Sequence, residues 1–314
     1  MGDRPSDGYH ALRQGAALLD LTGRGKIRVT GEDRARLLHA MTTNHVEQLG
    51  PGQGCYAFFL NAQGRILADV HLLSLGGHFL LDTEPETARR VAEHLDKYII
   101  ADDVTLEDRT AEVATLGVEG PEAAALLASL GLPGPEAPYS IAAHEDVTVA
   151  RLNAAGGDGF FLFVPAVEKE TVLARLVSAG AIPASAGDWR VVRIENGKPR
   201  YGEEFSDANL PQETQLTHAL HFSKGCYIGQ EIVERIRSRG HVNRLLCHLR
   251  VETDTSPLAG TRILKEGKDS GELMSAVWSP AAGAVLGFGY LKAEATRTTE
   301  VFDIAGSVAK LVRN

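Results

Sequence analysis

Hydrophobic residues follow two spacings in the first part of the chain, and the two spacings alternate. In the segment KIRVTGEDRARLLHAMTTN, Ile27 and Val29 alternate with polar residues, as they do in a strand with one buried face. Leu37, Leu38 and Met41 then recur at helical spacing. The segment therefore predicts a strand, a turn and a helix.

Two hairpins, each followed by a helix, are predicted further along the chain. CYAFFLNAQGRILADVHLLSL reads as two strands around a tight turn, and a Gly-Gly pair leads into the short strand HFLLD. Thr83 and Glu86 have the spacing of a capping box for the next helix. VARLNAAGGDGFFLFVPAVEKETVLARLVSAG repeats this order. An internal duplication or two independent units would explain the repeat, and either predicts helices packed on antiparallel sheet.

The pattern changes after the segment WRVVRIENG, the last clear helix, which Asp188 is expected to cap. The segments RLLCHLRVE, TRILKEG, AVLGFGYLKAE and VFDIAG are short strands separated by Gly, Pro and Ser. We therefore predict an α+β chain with two domains. Residues 10–240 form two lobes that contain the ββα units, and residues 241–314 form an all-β domain.

Composition narrows the function class. The 314 residues carry a formal net charge of −9, which disfavours a general nucleic-acid-binding role. The three cysteines have no CxxC spacing, so we expect neither a disulfide framework nor a stably bound metal. No segment has the length of a membrane span or the apolar core of a secretory signal. We expect a cytoplasmic protein without nucleic-acid or membrane partners.

The stretch SKGCYIGQE carries the clearest candidate for chemistry. The reactive form of cysteine is the thiolate, and a nearby cation such as Lys224 lowers a thiol pKa. Gly225 and Gly229 let the backbone adopt positive φ and approach a ligand. Cys226 is therefore either a reactive thiol or an inert cysteine in a glycine turn. As a nucleophile it would need a base, for which His218 and His221 are near in sequence only.

Three further polar features stand out. Arg235 and Arg237 alternate around an isoleucine, which predicts two arginines on one face of a strand, suited to carboxylates or phosphates. Asp69 and Glu195 each end an apolar element. Such a carboxylate either lies at the surface or pairs with a flat heterocycle that offers adjacent N–H donors, as a pterin does.

With these residues identified, the chain resembles the YgfZ-type, tetrahydrofolate-dependent iron–sulfur cluster assembly and repair proteins, relatives of the glycine cleavage T-protein (aminomethyltransferase). The resemblance rests on KGCYIGQE and, in the same order as in the family, on MTTNHVEQL, FFLNAQGRILADV, HLDKYIIADDVTLED and RIENGKPRYGEEFSDANLPQE. It implies antiparallel sheets and helices around a central folate pocket, with a C-terminal β-barrel. It also implies binding of reduced folate, polyglutamylated forms included, and action on iron–sulfur client or assembly proteins.

The resemblance also implies roles for particular residues. Cys226 is the motif cysteine and acts with Lys224, and the residues around them are Gly225, Gly229, Gln230 and Glu231. By similarity to the T-protein pocket, Tyr56, Asp69 and Glu195 are expected to contact folate. From charge alone, Arg235 and Arg237 are expected to hold its glutamate tail.

The chain departs from the aminomethyltransferases in two places. It reads Ala68-Asp69 where they tend to have paired acids, and AAGGDGFF where they have a block like GYTGE. These departures favour cluster assembly. A folate-dependent aminomethyltransferase or demethylase, a cysteine hydrolase and a binding module without catalysis remain as alternatives.

Overall fold

The computed structural model describes residues 5–312, apart from the side chain of Arg239, so residues 313–314 of the predicted second domain lie outside it. The helices are α1 (Asp7–Gln14), α2 (Arg34–Met41), α3 (Ala88–Asp96), α4 (Ala123–Ser129), α5 (Lys169–Ser178), α6 (Ala186–Glu195), α7 (Gln230–Arg239) and α8 (Ala293–Thr298). None of these helices is long and apolar enough to cross a membrane.

The first lobe contains a five-stranded antiparallel sheet. In order across the sheet, the strands are β3 (Gly54–Leu60), β4 (Ile66–Ser74), β5 (Phe79–Thr83), β2 (Gly25–Thr30) and β6 (Thr105–Asp108). One face of this sheet packs its alternating apolar residues against α2 and α3. The predicted strand–turn–helix and the first hairpin are thus confirmed.

The second lobe contains a six-stranded sheet. Across the sheet the strands are β11 (Ile182–Pro183), β1 (Ala17–Asp20), β7 (Val113–Glu119), β10 (Gly159–Pro165), β9 (Val147–Ala150) and β8 (Ile141–His144). The strand order β8-β9-β10-β7 repeats the order β3-β4-β5-β2 of the first lobe, and each lobe inserts its helices at the same points in the chain. The two lobes therefore share one topology, with β1 added between β7 and β11.

The two sheets meet through a shared apolar cluster. Leu73 and Leu80 of the first sheet, Leu19 and Phe161 of the second, and Val192 of α6 belong to it. Burying an aliphatic or aromatic side chain of this kind stabilises a fold by roughly 1.5–3 kcal/mol. The lobes therefore pack face to face. A cavity lies beside this contact, where the strands of both lobes and α6 converge.

A closed barrel follows the lobes and confirms the predicted α+β class with a C-terminal barrel. Its strands, in order around the barrel, are β12 (Arg244–Val251), β15 (Ala284–Lys292), β14 (Lys268–Ser279), β13 (Arg262–Lys265), β16 (Val301–Ile304) and β17 (Ser307–Leu311). The barrel region is not entirely β, because α8 connects β15 to β16 and packs Ala295 on the barrel core. The boundary between residues 240 and 241 stays a prediction.

Three local predictions need correction. Thr83 does not begin a helix, because it pairs with Gly25 as the last residue of β5, and α3 begins after Thr87. Ser185, not Asp188, is the N-cap of α6; its hydroxyl accepts from the Asp188 amide at 3.2 Å, and Asp188 completes a capping box. The predicted strand at 235–237 is wrong, since this segment is the middle of α7.

A buried ion pair connects α6 to the barrel. Both terminal nitrogens of Arg193, whose side chain is 1% exposed, donate to Glu204 at 2.8 and 2.9 Å. Ser275 of β14 donates to the same carboxylate at 2.7 Å. This pair fixes the position of α6 between the lobes and the barrel.

Glu204→Ala is therefore expected to lower the free energy of unfolding by about 3–5 kcal/mol, because it removes the fully buried partner of Arg193 and leaves this buried charge with the partly exposed Glu203 alone. Urea denaturation measures this loss. Glu252→Ala is the matched control: it removes an exposed pair with Arg250, worth roughly 0–1 kcal/mol. Equal losses for the two variants would contradict a structural role for the buried pair.

Candidate ligand cavity and motif loop

A cavity of about 670 Å³ lies between the lobes. Its walls come from the first sheet, the end of β1, the loop at 151–157, α6 and the loop at 197–200. Six aromatic or imidazole side chains line it: Tyr56, His71, Tyr139, Phe161, Trp189 and His218. Such a mixture of flat apolar surfaces and a few polar groups is typical of a small-molecule site.

Strand pairing places the polar residues of the first sheet on its cavity face. Asp69 and His71 are two residues apart on β4, so their side chains project from the same face. Tyr56 of β3 lies opposite His71 in the register, and Asp82 of β5 lies opposite His71 on the other side. Period-two alternation thus gathers four polar side chains in one patch, while the other face of the same strands packs on helices.

Asp69 is buried in the cavity wall with one oxygen unused. The Tyr56 hydroxyl donates to Oδ2 at 2.8 Å, whereas Oδ1 is fully buried and has no hydrogen-bond partner in the described structure. Burial, together with the nearby Glu84 carboxylate, raises the pKa of Asp69 to about 6. A buried acceptor without a partner is costly, so Oδ1 is suited to a donor from a ligand.

A buried network stands behind this patch. Arg24 donates through Nε and Nη2 to the two oxygens of Asp82 at 2.9 and 2.8 Å, and through Nη1 to Glu84 at 2.5 Å. Arg200 pairs with Glu84 at 2.7 Å. The Arg24 guanidinium also lies over the Phe161 ring of the other lobe, 5.5 Å from its centroid. The network therefore joins both lobes to the loop after α6.

The loop at 153–157 forms the opposite wall. Glu119 accepts from the amides of Ala154 and Ala155, at 2.5 and 2.9 Å, and so fixes the turn. Lys198 reaches across and donates to Asn153 Oδ1 at 3.0 Å and to its carbonyl. Burial lowers the pKa of Lys198. Residues 154–157 of this wall belong to the block for which the resemblance implies a departure from the aminomethyltransferases, and Lys198 brings a cation to the cavity.

The motif loop lies elsewhere, against α2 and the turn between β3 and β4. Lys224 is buried and donates to the carbonyls of His39 and Thr42, the latter at 2.6 Å, so it caps the C-terminal end of α2. Burial lowers its pKa to about 8. Gly229 has a φ of 81°, and a Cβ there would lie 2.7 Å from the Asn61 carbonyl oxygen. Much of the motif therefore serves to seat the loop.

Cys226 is exposed at the surface of this loop and does not line the cavity. No hydrogen bond joins its sulfur to an imidazole in the described residues. His221 instead contacts the ring of His45, with centroids 5.3 Å apart, whereas His218 lines the cavity. The two histidines considered as bases thus lie in different surroundings, and neither forms a dyad with Cys226.

The remaining predicted residues fall outside the cavity lining. Glu195 accepts from Tyr9 at 2.8 Å and from Ser279 at 2.6 Å, which joins α6 to α1 and the barrel instead of to a pterin. Arg235 and Arg237 lie on α7 and are exposed, and the Arg237 guanidinium covers the Phe222 ring. Glu231 is exposed, and Gln230 accepts from the backbone amide of Tyr227 at 3.2 Å. Of the residues that were expected to contact folate, only Tyr56 and Asp69 lie together in the cavity wall.

Sequence reasoning missed four polar residues that surround Asp69 or face it. They are Arg24, His71, Asp82 and Lys198. His71 had a signal, since it repeats the polar phase of Asp69 two residues later in an otherwise apolar strand. The other three are distant in sequence and meet through sheet register and packing.

Two family models match the chain. The model described as the GCVT N-terminal domain matches residues 3–224, and that of the glycine cleavage T-protein C-terminal barrel domain matches residues 244–312. The chain belongs to the GCVT family. The matched barrel begins at the first residue of β12.

Relatives in the GCVT family match along most of the chain. A chloroplastic protein of Arabidopsis thaliana, with a provisional transferase name, is 29% identical over 99% of this chain and 73% of its own length. An aminomethyltransferase of Rubrobacter xylanophilus is 30% identical over 93% of this chain and 80% of its own length. The crystal structure of aminomethyltransferase T of the glycine cleavage system from Bartonella henselae superposes with a TM-score of 0.88 at 22% identity, covering 98% of this chain and 87% of that one. This likeness supports the GCVT fold.

Asp69→Asn is expected to stabilise this GCVT protein at pH 7.5 by about 1–3 kcal/mol. A carboxyl whose pKa is raised to about 6 in the fold opposes folding once it ionises. The gain should therefore be largest above pH 6 and should be mostly lost at pH 4, where Asp69 is protonated in the fold and, with an ordinary pKa of 3.8, partly protonated in the unfolded chain. Urea midpoints at the two pH values measure it. Asp96→Asn is an exposed control and should leave the urea midpoint unchanged at both pH values. An Asp69→Asn variant that is less stable than the native protein at pH 7.5 would contradict this argument.

Proposed function

We propose that this protein binds a reduced folate in the cavity between its lobes, with the pterin ring paired to Asp69. The observation that carries the proposal is the buried Oδ1 of Asp69, which has no partner although Oδ2 is held by Tyr56. A pterin offers adjacent N–H donors that suit such a carboxylate. The family match supports the same ligand class.

The rest of the cavity fits this ligand. Its volume of about 670 Å³ falls within the range of roughly 300–1,000 Å³ found for small-molecule sites. Tyr139, Phe161 and Trp189 offer flat surfaces for aromatic rings. Lys198 and Arg151 supply cations in the lining for the carboxylates of a glutamate tail, in place of the exposed Arg235 and Arg237.

Tetrahydrofolate, when bound, supplies a carrier for one-carbon units. The protein itself supplies a proton-holding group, because Asp69 has a pKa near the physiological range and Tyr56 fixes its orientation through Oδ2. The apolar and aromatic walls limit the access of water to this carboxyl. These features serve binding alone as well as acid–base chemistry on the ligand.

In the cell, we propose that the protein assists iron–sulfur cluster assembly or repair, as a YgfZ-type member of the family. Two observations support this role. Cys226 is exposed on a loop that is seated by Lys224 and Gly229 and lies apart from the cavity, so a partner protein can reach the thiol. The resemblance also implies that the block AAGGDGFF at 154–161 departs from the aminomethyltransferase pattern. One thiol does not hold a cluster alone, since clusters usually take four cysteine ligands.

The second candidate function is folate-dependent aminomethyl transfer or demethylation. It is favoured by Asp69, a cavity carboxyl with a raised pKa, and by the relatives that are named aminomethyltransferases. Formation of methylene-tetrahydrofolate from an aminomethyl or N-methyl donor would establish it. In that case Asp69→Asn would abolish activity, whereas Cys226→Ser would leave it unchanged.

Calorimetry with folinic acid, a stable reduced folate, tests the ligand. The native protein is expected to bind it, and Asp69→Asn to bind it about 10- to 100-fold more weakly, since a hydrogen bond to a charged group contributes roughly 1.5–3 kcal/mol. Cys226→Ala, which lies outside the cavity, should bind like the native protein. Equal affinity of Asp69→Asn and native protein would overturn the pairing with Asp69.

Complementation separates the thiol from the cavity. In cells that lack this protein, Cys226→Ser is expected to leave iron–sulfur enzyme activities at the level of the deletion, although the variant binds folinic acid normally. Ser223→Ala, an exposed change in the same loop, is expected to restore them. Full restoration by Cys226→Ser would remove the cysteine from the proposed role.

A further inference from the structure

A histidine–aspartate pair in the cavity wall has no part in the function proposed above. His71 Nδ1 lies 2.8 Å from Asp82 Oδ2, and two nitrogens of Arg24 donate three hydrogen bonds to Asp82. Burial opposes ionisation of Asp82, but the Arg24 guanidinium holds its pKa down to about 2. An ionised carboxylate only accepts hydrogen bonds, so His71 Nδ1 must carry the proton that it donates.

The other ring nitrogen of His71 faces open space. No described residue forms a hydrogen bond with Nε2, yet Nε2 is not among the fully buried polar atoms that lack a partner. Since the ring lines the cavity, the accessible Nε2 opens into it. Burial lowers the pKa of His71, so the ring is neutral at physiological pH and Nε2 presents a lone pair.

Packing fixes the ring in this orientation. Its centroid lies 5.3 Å from that of Tyr56 and 6.2 Å from that of Phe161, so aromatic rings of both lobes flank it. Asp69 projects from the same face of β4, two residues away. One strand therefore holds two acceptors without protein partners in the cavity wall: His71 Nε2, which is accessible, and Asp69 Oδ1, which is buried within the wall.

We propose that His71 Nε2 makes the cavity selective for reduced over oxidised pterins. This inference rests on the proposed folate function and deepens it. The nitrogens of the second ring of an oxidised pterin carry lone pairs and no hydrogen, whereas the tetrahydro form carries an N–H group at position 8, which folinic acid keeps although its N5 is formylated. A neutral imidazole that is locked as an acceptor bonds to such an N–H group. With an oxidised pterin, the lone pair of Nε2 would instead face a lone pair of the ligand. This contact without a hydrogen is the physical basis of discrimination.

Calorimetry with folinic acid and folic acid tests the selectivity. His71→Asn keeps an amide near Nδ1 that donates to Asp82 but removes the Nε2 acceptor. We expect the native protein to prefer folinic acid, and His71→Asn to lose about tenfold of that preference, chiefly through weaker binding of folinic acid. His78→Asn, a change outside the cavity lining, should keep the native preference.

Three outcomes would overturn the inference. Equal weakening of both ligands by His71→Asn would indicate a structural role, and unchanged affinities would mean that Nε2 does not contact the ligand. If the native protein bound neither compound, the proposed folate function itself would fail. A loss of preference in His71→Asn with native folic acid affinity would support the inference.

Nitrogen NMR of the histidine rings gives a readout that is independent of affinity. In the ligand-free protein, His71 should show a protonated Nδ1 and an unprotonated Nε2, and the Nε2 signal should shift when folinic acid is added. A protonated Nε2 in the ligand-free protein would overturn the acceptor assignment whether or not the folate function holds.

Discussion

The ion pair between Arg24 and Asp82 is the interaction on which the cavity depends. Asp82 fixes the His71 ring, Arg24 also pairs with Glu84, and its guanidinium covers Phe161 of the opposite lobe. One buried cation therefore orients the acceptor side of the cavity and joins the two sheets. Removing one partner of such a pair is costly, typically about 3–5 kcal/mol, because the other charge stays buried.

The protein separates two chemistries in space. The cavity holds acceptors, aromatic surfaces and cations, whereas the thiol of Cys226 is exposed on a loop against α2. Both are attached to the first lobe, since Gly229 packs on the turn between β3 and β4, whose strands carry Tyr56 and Asp69. In the function we propose, the ligand binds on one face of the β3–β4 hairpin, and the partner protein binds near the turn of the same hairpin.

Much of the fold could be predicted from local pattern. Period-two and helical spacings identified the hairpins, the ββα repeat and the β-rich C-terminal region, because these patterns reflect which face of each element is buried. The errors fell at element ends and in charged segments. Arg235 and Arg237 were assigned to a strand because they alternate around Ile236, whereas Ile232, Val233 and Ile236 follow the helical spacing of α7, and Val233 packs in the core.

The sequence by itself determined the strands, the glycine turns and the motif, since each depends on neighbouring residues. Through the resemblance it also predicted folate contacts for Asp69 and Tyr56, which the structure places in the cavity wall. Only the tertiary structure decided that Glu195 turns towards α1 and the barrel, that Lys224 caps α2, and that Cys226 lies outside the cavity. Side-chain partners across sheets and lobes are set by register and packing between segments that are far apart in the chain, and no local pattern encodes those distances.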